Sequence, residues 1–148
     1  MSKIVVTDPC YLMNKEDWDA CVKEAEHCET EHKAEWRDAF DAAICKKLEE
    51  ISGHKAYATD TGFGDWNNSI DGQEFCADSG MVCVCYLTES MKNKLDSYAN
   101  QNLAAIIDVE GDISVGFDCS RSDWTVVEIE DSAHNHWTSW IPDDEDDE

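Results

Sequence analysis

The stretch Met81-Val82-Cys83-Val84-Cys85-Tyr86-Leu87 constrains the fold more than any other part of the chain. Every residue in it is apolar, β-branched or aromatic, and the turn-forming Asp78-Ser79-Gly80 precedes it. A continuous apolar run of this length, opened by Gly, is the pattern of a strand buried on both faces. It is too short for an ordinary helix, and Val and Tyr favour the pleat. The remaining segments must pair with this strand or cover it.

Ile4-Val5-Val6 signals a first strand that finishes at Asp8-Pro9, because Pro has no N–H to give a ladder and marks an edge or an end. Asn14 is placed to cap a helix, with Asp17 three residues further on. From Glu16 to Ile51 there is neither Gly nor Pro. Trp18, Cys21, Val22, Ala25, Cys28, Trp36, Ala39, Phe40, Ala43, Ile44, Leu48 and Ile51 recur there at spacings of three and four, an amphipathic helical stripe. Gly53 is a natural stop. A single helix of about 35 residues would run near 50 Å, so the segment is one long helix or two shorter ones broken near Glu29-Thr30.

Beyond it, His54 to Ala58 reads as a short strand, and Thr59 to Gly72 as a long ordered loop or loose hairpin. Gln73 to Asp78 leads into the central strand. Thr88 or Ser90 can cap a second, short helix reaching about Asn102, with Met91, Leu95 and Tyr98 on one face. Leu103–Val109 and Ile113–Phe117 read as a hairpin around Glu110-Gly111-Asp112. In Asp123–Glu130, Trp124, Val126 and Glu128 alternate with Thr125, Val127 and Ile129, a further strand, and Trp137–Ile141 is a last one. The reading is α+β: a mostly antiparallel sheet with these helices packed on one face. A chain of 148 residues suits one such domain, here 1–142, followed by the six-acid run 143–148 as a solvated tail.

The charge is the least ordinary feature. There are 34 Asp and Glu against 11 Lys and Arg, a net charge of −23. From Asp108 to Glu148 there are 14 acids and one base, Arg121. Such a chain repels DNA, RNA and acidic membranes, so direct nucleic-acid binding is excluded, and it favours a basic partner or multivalent cations. The N-terminus shows no secretory apolar core, since Asp8 follows only three apolar residues. No apolar run approaches the roughly 18 residues that span a bilayer. The expectation is a soluble cytoplasmic protein whose eight Cys are reduced thiols.

Several groups have the residue types of reactive or metal sites. Cys21, Cys28 and His32 fall on one helical face, with His27 adjacent, and thiolate plus imidazole suits zinc. The tight paired spacing of structural zinc sites is missing, and buried Cys is a common core residue, so packing is preferred and neither metal nor cofactor is expected. Cys83 and Cys85 lie in the apolar run and read as inert thiols. Cys10 would need a base such as His54, His134 or His136 to act as a nucleophile, and its acidic surroundings disfavour the thiolate. His134-Asn135-His136 has the letters of a nuclease motif without a basic surface to hold DNA. Asp60-Thr61-Gly62-Phe63-Gly64-Asp65 is oxygen-rich but lacks the register of a calcium loop and reads as a turn. No catalytic residue is assigned.

Val5-Val6-Thr7-Asp8-Pro9-Cys10-Tyr11, Gly62-Phe63-Gly64-Asp65-Trp66, Asp78-Ser79-Gly80-Met81 and Asp123-Trp124-Thr125-Val126 resemble a group of small acidic phage and mobile-element proteins that open with a Thr-Asp-Pro-Cys-Tyr strand. In charge alone the chain is similar to DNA-mimic anti-restriction and anti-CRISPR proteins. The resemblance implies a phage accessory protein, for which inhibiting a host defence nuclease is a common task. Carboxylates on a strand stand about 7 Å apart on one face, close to the step between phosphates of a nucleic-acid strand. The expected function is occupation of the basic nucleic-acid groove of a nuclease or nucleic-acid-binding complex, in the host cytoplasm. The binding residues would be Glu24, Glu31, Glu35 and Asp38 on the helices and Asp112, Asp118, Glu128 and Glu130 on the strands. The alternatives are a small metal-binding or thiol-dependent enzyme, and an acidic structural or interaction protein, homodimeric or not, whose charge serves solubility.

Overall fold

The computed structural model describes residues 2–33, 35–61, 66–98, 102–118 and 124–141. The oxygen-rich loop from Gly62 to Asp65, Arg121 and the acidic run 143–148 lie outside the described residues. At the centre is a four-stranded antiparallel sheet of β1 (Ser2–Thr7), β2 (Tyr57–Asp60), β5 (Met81–Tyr86) and β6 (Ala105–Val109), in the order β2-β5-β1-β6. The apolar run is an interior strand, as its composition demands: Met81 to Cys85 are all buried. β1 is the other interior strand, so Pro9 marks its end and not a sheet edge.

Alternation along these strands divides the core in two. Val5, Met81, Cys83 and Cys85 face a helical layer of α1 (Lys15–His32), α2 (Trp36–Ser52) and α3 (Glu89–Asp96), packing with Cys21, Ala25, Phe40, Ile44, Leu48 and Met91. Ile4, Val6, Val82, Val84, Ala105, Ile107 and Val109 face the other way. There they meet two small sheets: the hairpin of β3 (Asn67–Ile70) and β4 (Gln73–Cys76), and the three-stranded sheet of β7 (Ile113–Asp118), β8 (Val126–Asp131) and β9 (His136–Thr138). Trp66, Phe75, Val127 and Ile129 supply most of that second core. The class is α+β as read, but the face opposite the helices is covered by further β structure.

The helical segment is two helices. The Asn14 side chain accepts from the Asp17 N–H at 2.8 Å and starts α1. α1 runs through Glu29-Thr30 and stops at Lys33, which takes a left-handed conformation at φ 56°. Between Cys28 and Trp36 the sequence holds no large apolar residue, so nothing binds that stretch to the core and the chain reverses there. Gly53, at φ 76°, ends α2. Thr88 caps α3, which is shorter than expected. The stretch 59–72, expected as a long ordered loop or a loose hairpin, contains β3, because Asp71-Gly72, both at positive φ, form a tight turn into β4.

The hairpin expected at Glu110-Gly111-Asp112 is absent. β6 pairs with β1 and β7 with β8, so the turn is a corner between two layers. The corner is fastened by the turn after β8. The Glu110 N–H donates to Asp131 Oδ2 at 2.9 Å, the Ser132 N–H to the Glu110 carbonyl at 3.0 Å, and the Asp112 N–H to Ser132 Oγ at 2.9 Å. The Tyr86 hydroxyl reaches the Gly111 carbonyl at 2.7 Å. These partners outbid a local pairing of β6 with β7. No helix among the described residues is long and apolar enough to cross a membrane.

Candidate functional site

The outward side of the β7–β8–β9 sheet carries an acidic surface. Its register makes cross-strand rows: Ser114, Glu130 and His136 in one, Gly116, Glu128 and Thr138 in the next. Asp118 pairs with Val126 at the end of β7. Val127, Ile129 and Asp131 point into the molecule, so Glu128 and Glu130 are turned outward by the same alternation that buries their neighbours. Ser114, Gly116, Asp118, Glu128, Glu130, His136 and Thr138 are all exposed. Gly116 leaves the middle of the face open, since no atom lies within 4 Å of where a Cβ would stand. A shallow concavity of about 300 Å³ results, lined by Ser114, Gly116, Glu128, Glu130 and His136.

No Lys or Arg occurs among the described residues from 102 to 141. Asp108, at the neighbouring edge, is bonded to Lys3 at 2.6 Å, and Glu130 Oε2 lies 3.1 Å from His134 Nδ1. The helical acids differ in this respect. Glu24 and Glu31 on α1, Glu35 before α2 and Asp38 on α2 are exposed, but Lys15, Lys23, Lys33, Arg37, Lys46 and Lys47 share their layer. The two groups of acids also lie on opposite sides of the central sheet, because the helices and the β7–β8–β9 sheet cover its two faces. One flat partner surface cannot take both sets at once. Asp112 sits at the corner beside β7, exposed, with its N–H on Ser132.

Asp131 fastens the turn that follows β8. It is buried, and its carboxylate accepts from the backbone N–H groups of Glu110, Ala133 and Asn135 and from the Asn135 side chain. Burial alone would raise its pKa; these donors outweigh that and hold it below the usual range. His134 and Asn135 therefore belong to the turn that Asp131 organises, with His134 at φ 66°, and His136 opens β9.

The cysteine candidates separate. Cys21 is buried and directs its thiol to the Ala43 carbonyl on α2, Cys28 contacts Glu24, and His32 stacks edgewise on His27. Among the described residues no group of three or more His, Cys, Asp or Glu is arranged to hold a metal ion. Cys83 and Cys85 are fully buried in the core. Asp60 pairs with Arg37 at 3.5 Å at the start of the oxygen-rich loop.

Cys10 lies in the short 3-10 turn Pro9–Tyr11 that Asp8 caps, its N–H donating to Asp8 Oδ1 at 2.9 Å. Asp8 is buried and also takes the N–H and hydroxyl of Ser79. Burial, followed by the negative field of Asp8, pushes the Cys10 thiol far up, the reverse of what a nucleophile needs. His54 packs on Tyr86 and His134 lies by Glu130, so neither serves as its base. A groove of about 420 Å³ does open beside it, lined by Met13, Trp18, Ser79, Lys94 and Tyr98 among others.

One surface residue was not singled out by sequence reasoning: Trp140. It is 54% exposed and Ile141 is 44%, the two large apolar residues that stand out from the described surface. In the sequence it lay within Trp137–Ile141, expected as a last strand. β9 ends at Thr138, and Trp140 lies two residues beyond it.

No protein-family model, curated protein or solved structure matches the chain. The segments that carried the sequence resemblance meet one another inside the fold: Asp8 binds Ser79, and the Trp66 and Trp124 rings pack edge to face at 5.3 Å.

Proposed function

We propose that this chain is an acidic binding protein whose β7–β8–β9 face enters the basic nucleic-acid groove of another protein, carboxylates standing where phosphates would. The observation that carries this reading is the outward face itself. Asp118, Glu128 and Glu130 project from one paired sheet, no Lys or Arg occurs among the described residues of these three strands, and Asp131 fixes the turn beside them. Strand geometry sets Glu128 and Glu130 about 7 Å apart, a step a phosphate-binding groove accepts. Acids fixed on strands avoid the ordering cost that weakens interactions of loose chains. In this reading the chain is an anti-defence inhibitor of phage or mobile-element origin, working in the host cytoplasm, with no catalytic step of its own.

The helical acids then serve a different purpose. They add to the long-range field that speeds encounter with a cationic partner, without touching it. Retention of host proteins on the immobilised chain, at low and high salt and with competing duplex or single-stranded DNA, tests the reading. Basic nucleic-acid-binding proteins should be held at low salt, released by salt and displaced by nucleic acid. Retention that nucleic acid does not disturb would overturn it.

A further inference from the structure

The acidic face has an aromatic corner. The pairing of β8 with β9 continues past Thr138, since the Ser139 N–H donates to the Val127 carbonyl at 2.9 Å and Ser139 Oγ accepts the Val127 N–H at 2.9 Å. The same register sets Trp140 beside Val126, and Val126 pairs with Asp118 on its other side. Trp140 therefore belongs to the row next to Gly116, Glu128 and Thr138. Its backbone is held on both sides: its N–H donates to the Ser69 carbonyl of β3 at 2.8 Å, and its carbonyl accepts the Trp124 indole N–H at 2.8 Å. Its ring leans edgewise on Trp124 at 5.2 Å, and Trp124 leans on the buried Trp66. A ladder of three indoles thus runs from the core to the surface and presents the last one on a fixed backbone.

Exposing a large ring is unfavourable in water, and a ring held still loses little entropy when covered. Large aromatic side chains are the usual anchors of protein interfaces. Asp118 in the same row and Glu128 in the next make a cationic cover the favoured one. We propose that Trp140 is the apolar anchor of the interface, and that its partner is a cationic surface carrying flat aromatic groups. That is the chemistry of a groove built for single-stranded nucleic acid, which combines Lys and Arg with aromatic platforms on which bases stack. A duplex-binding groove offers the cations alone. This inference rests on the acidic-face reading above: the carboxylates imitate phosphates, and the indole takes the place of a base.

Two synthetic peptides of equal charge test it, one alternating Arg with Tyr and the other Arg with Ser. Binding of the full chain to each is measured by calorimetry at low and at high salt. The Arg-Tyr peptide should bind about tenfold more tightly at both salts. Trp140→Ala should abolish that preference while keeping the affinity for Arg-Ser. The triple variant D118N/E128Q/E130Q should weaken both peptides, flatten the salt dependence and keep the preference. In the unmodified chain, the Trp140 indole proton resonance should move on titration with Arg-Tyr, a readout that needs no variant. Equal binding of the two peptides, a preference that survives Trp140→Ala, or an unmoved indole resonance would overturn the anchor. If Arg-Ser binds with salt dependence in those cases, the acidic-face reading stands alone. If neither peptide binds, both fall.

Discussion

Asp41 shows how the burden of 34 acids falls on single residues. It sits half-buried on α2, with Oδ1 among the buried atoms that meet no donor in the described structure. Burial, then the nearby charges of Asp60 and Asp38, push its carboxyl up to about 6, offset in part by an Asp60 backbone N–H and by Arg37. The folded state therefore holds this proton more tightly than the unfolded state. Its contribution to stability is complete below the ordinary carboxylate range and is lost as pH rises through about 6. Asp41→Asn should match the parent near pH 4 and exceed it at pH 7.5 by up to about 2 kcal/mol, as read from denaturant midpoints across that range. A gap that does not change with pH would contradict this. At this scale the sequence spoke clearly where a residue acts on its own neighbours: Asn14, Gly53 and Thr88 cap the helices from within a turn. It was silent on Asp8, whose partner Ser79 lies 71 residues away, and on Trp140, whose place is set by bonds to Ser69 and Trp124 far off in the chain.

At the scale of elements, the corner between β6 and β7 decides the layering. Glu110-Gly111-Asp112 has the composition of a hairpin turn, and composition cannot tell a hairpin from a corner. The difference is made by Asp131 and Ser132, which capture the corner's backbone groups from the next sheet. Gly111 is required twice over. Its φ is 72°, and an added Cβ would lie 2.6 Å from Ser132 Oγ. Gly111→Ala should destabilise the fold by about 2–4 kcal/mol, combining left-handed strain with overpacking. Because the corner carries β7 into the acidic sheet, amide exchange should quicken first in β7 and β8, ahead of β1 and β5. Uniform loss of protection would argue against this coupling. The helices, the central strand and their packing were legible because each rests on periodicity and caps. The three separate sheets were not, because strand partners are chosen by contacts between residues far apart in the chain.

At the scale of the molecule, the exposed acids among the described residues fall on two opposed surfaces that differ in kind. The helical layer mixes acids with Lys and Arg, whereas the described residues of β7, β8 and β9 carry acids and no Lys or Arg, with an indole at the corner. Reading the sequence joined Glu24, Glu31, Glu35 and Asp38 with Asp112, Asp118, Glu128 and Glu130, since charge shows no sidedness until the layers are known. In the proposed function the strand face is the contact surface and the helical face a source of steering. Binding kinetics of two charge-reversal variants against a basic protein retained at low salt test that most directly. D118K/E128K/E130K should abolish stable binding through faster dissociation, while E24K/E31K/D38K should slow association by severalfold and leave dissociation unchanged. Loss of stable binding in the helical variant, with the strand variant binding as the parent does, would contradict it.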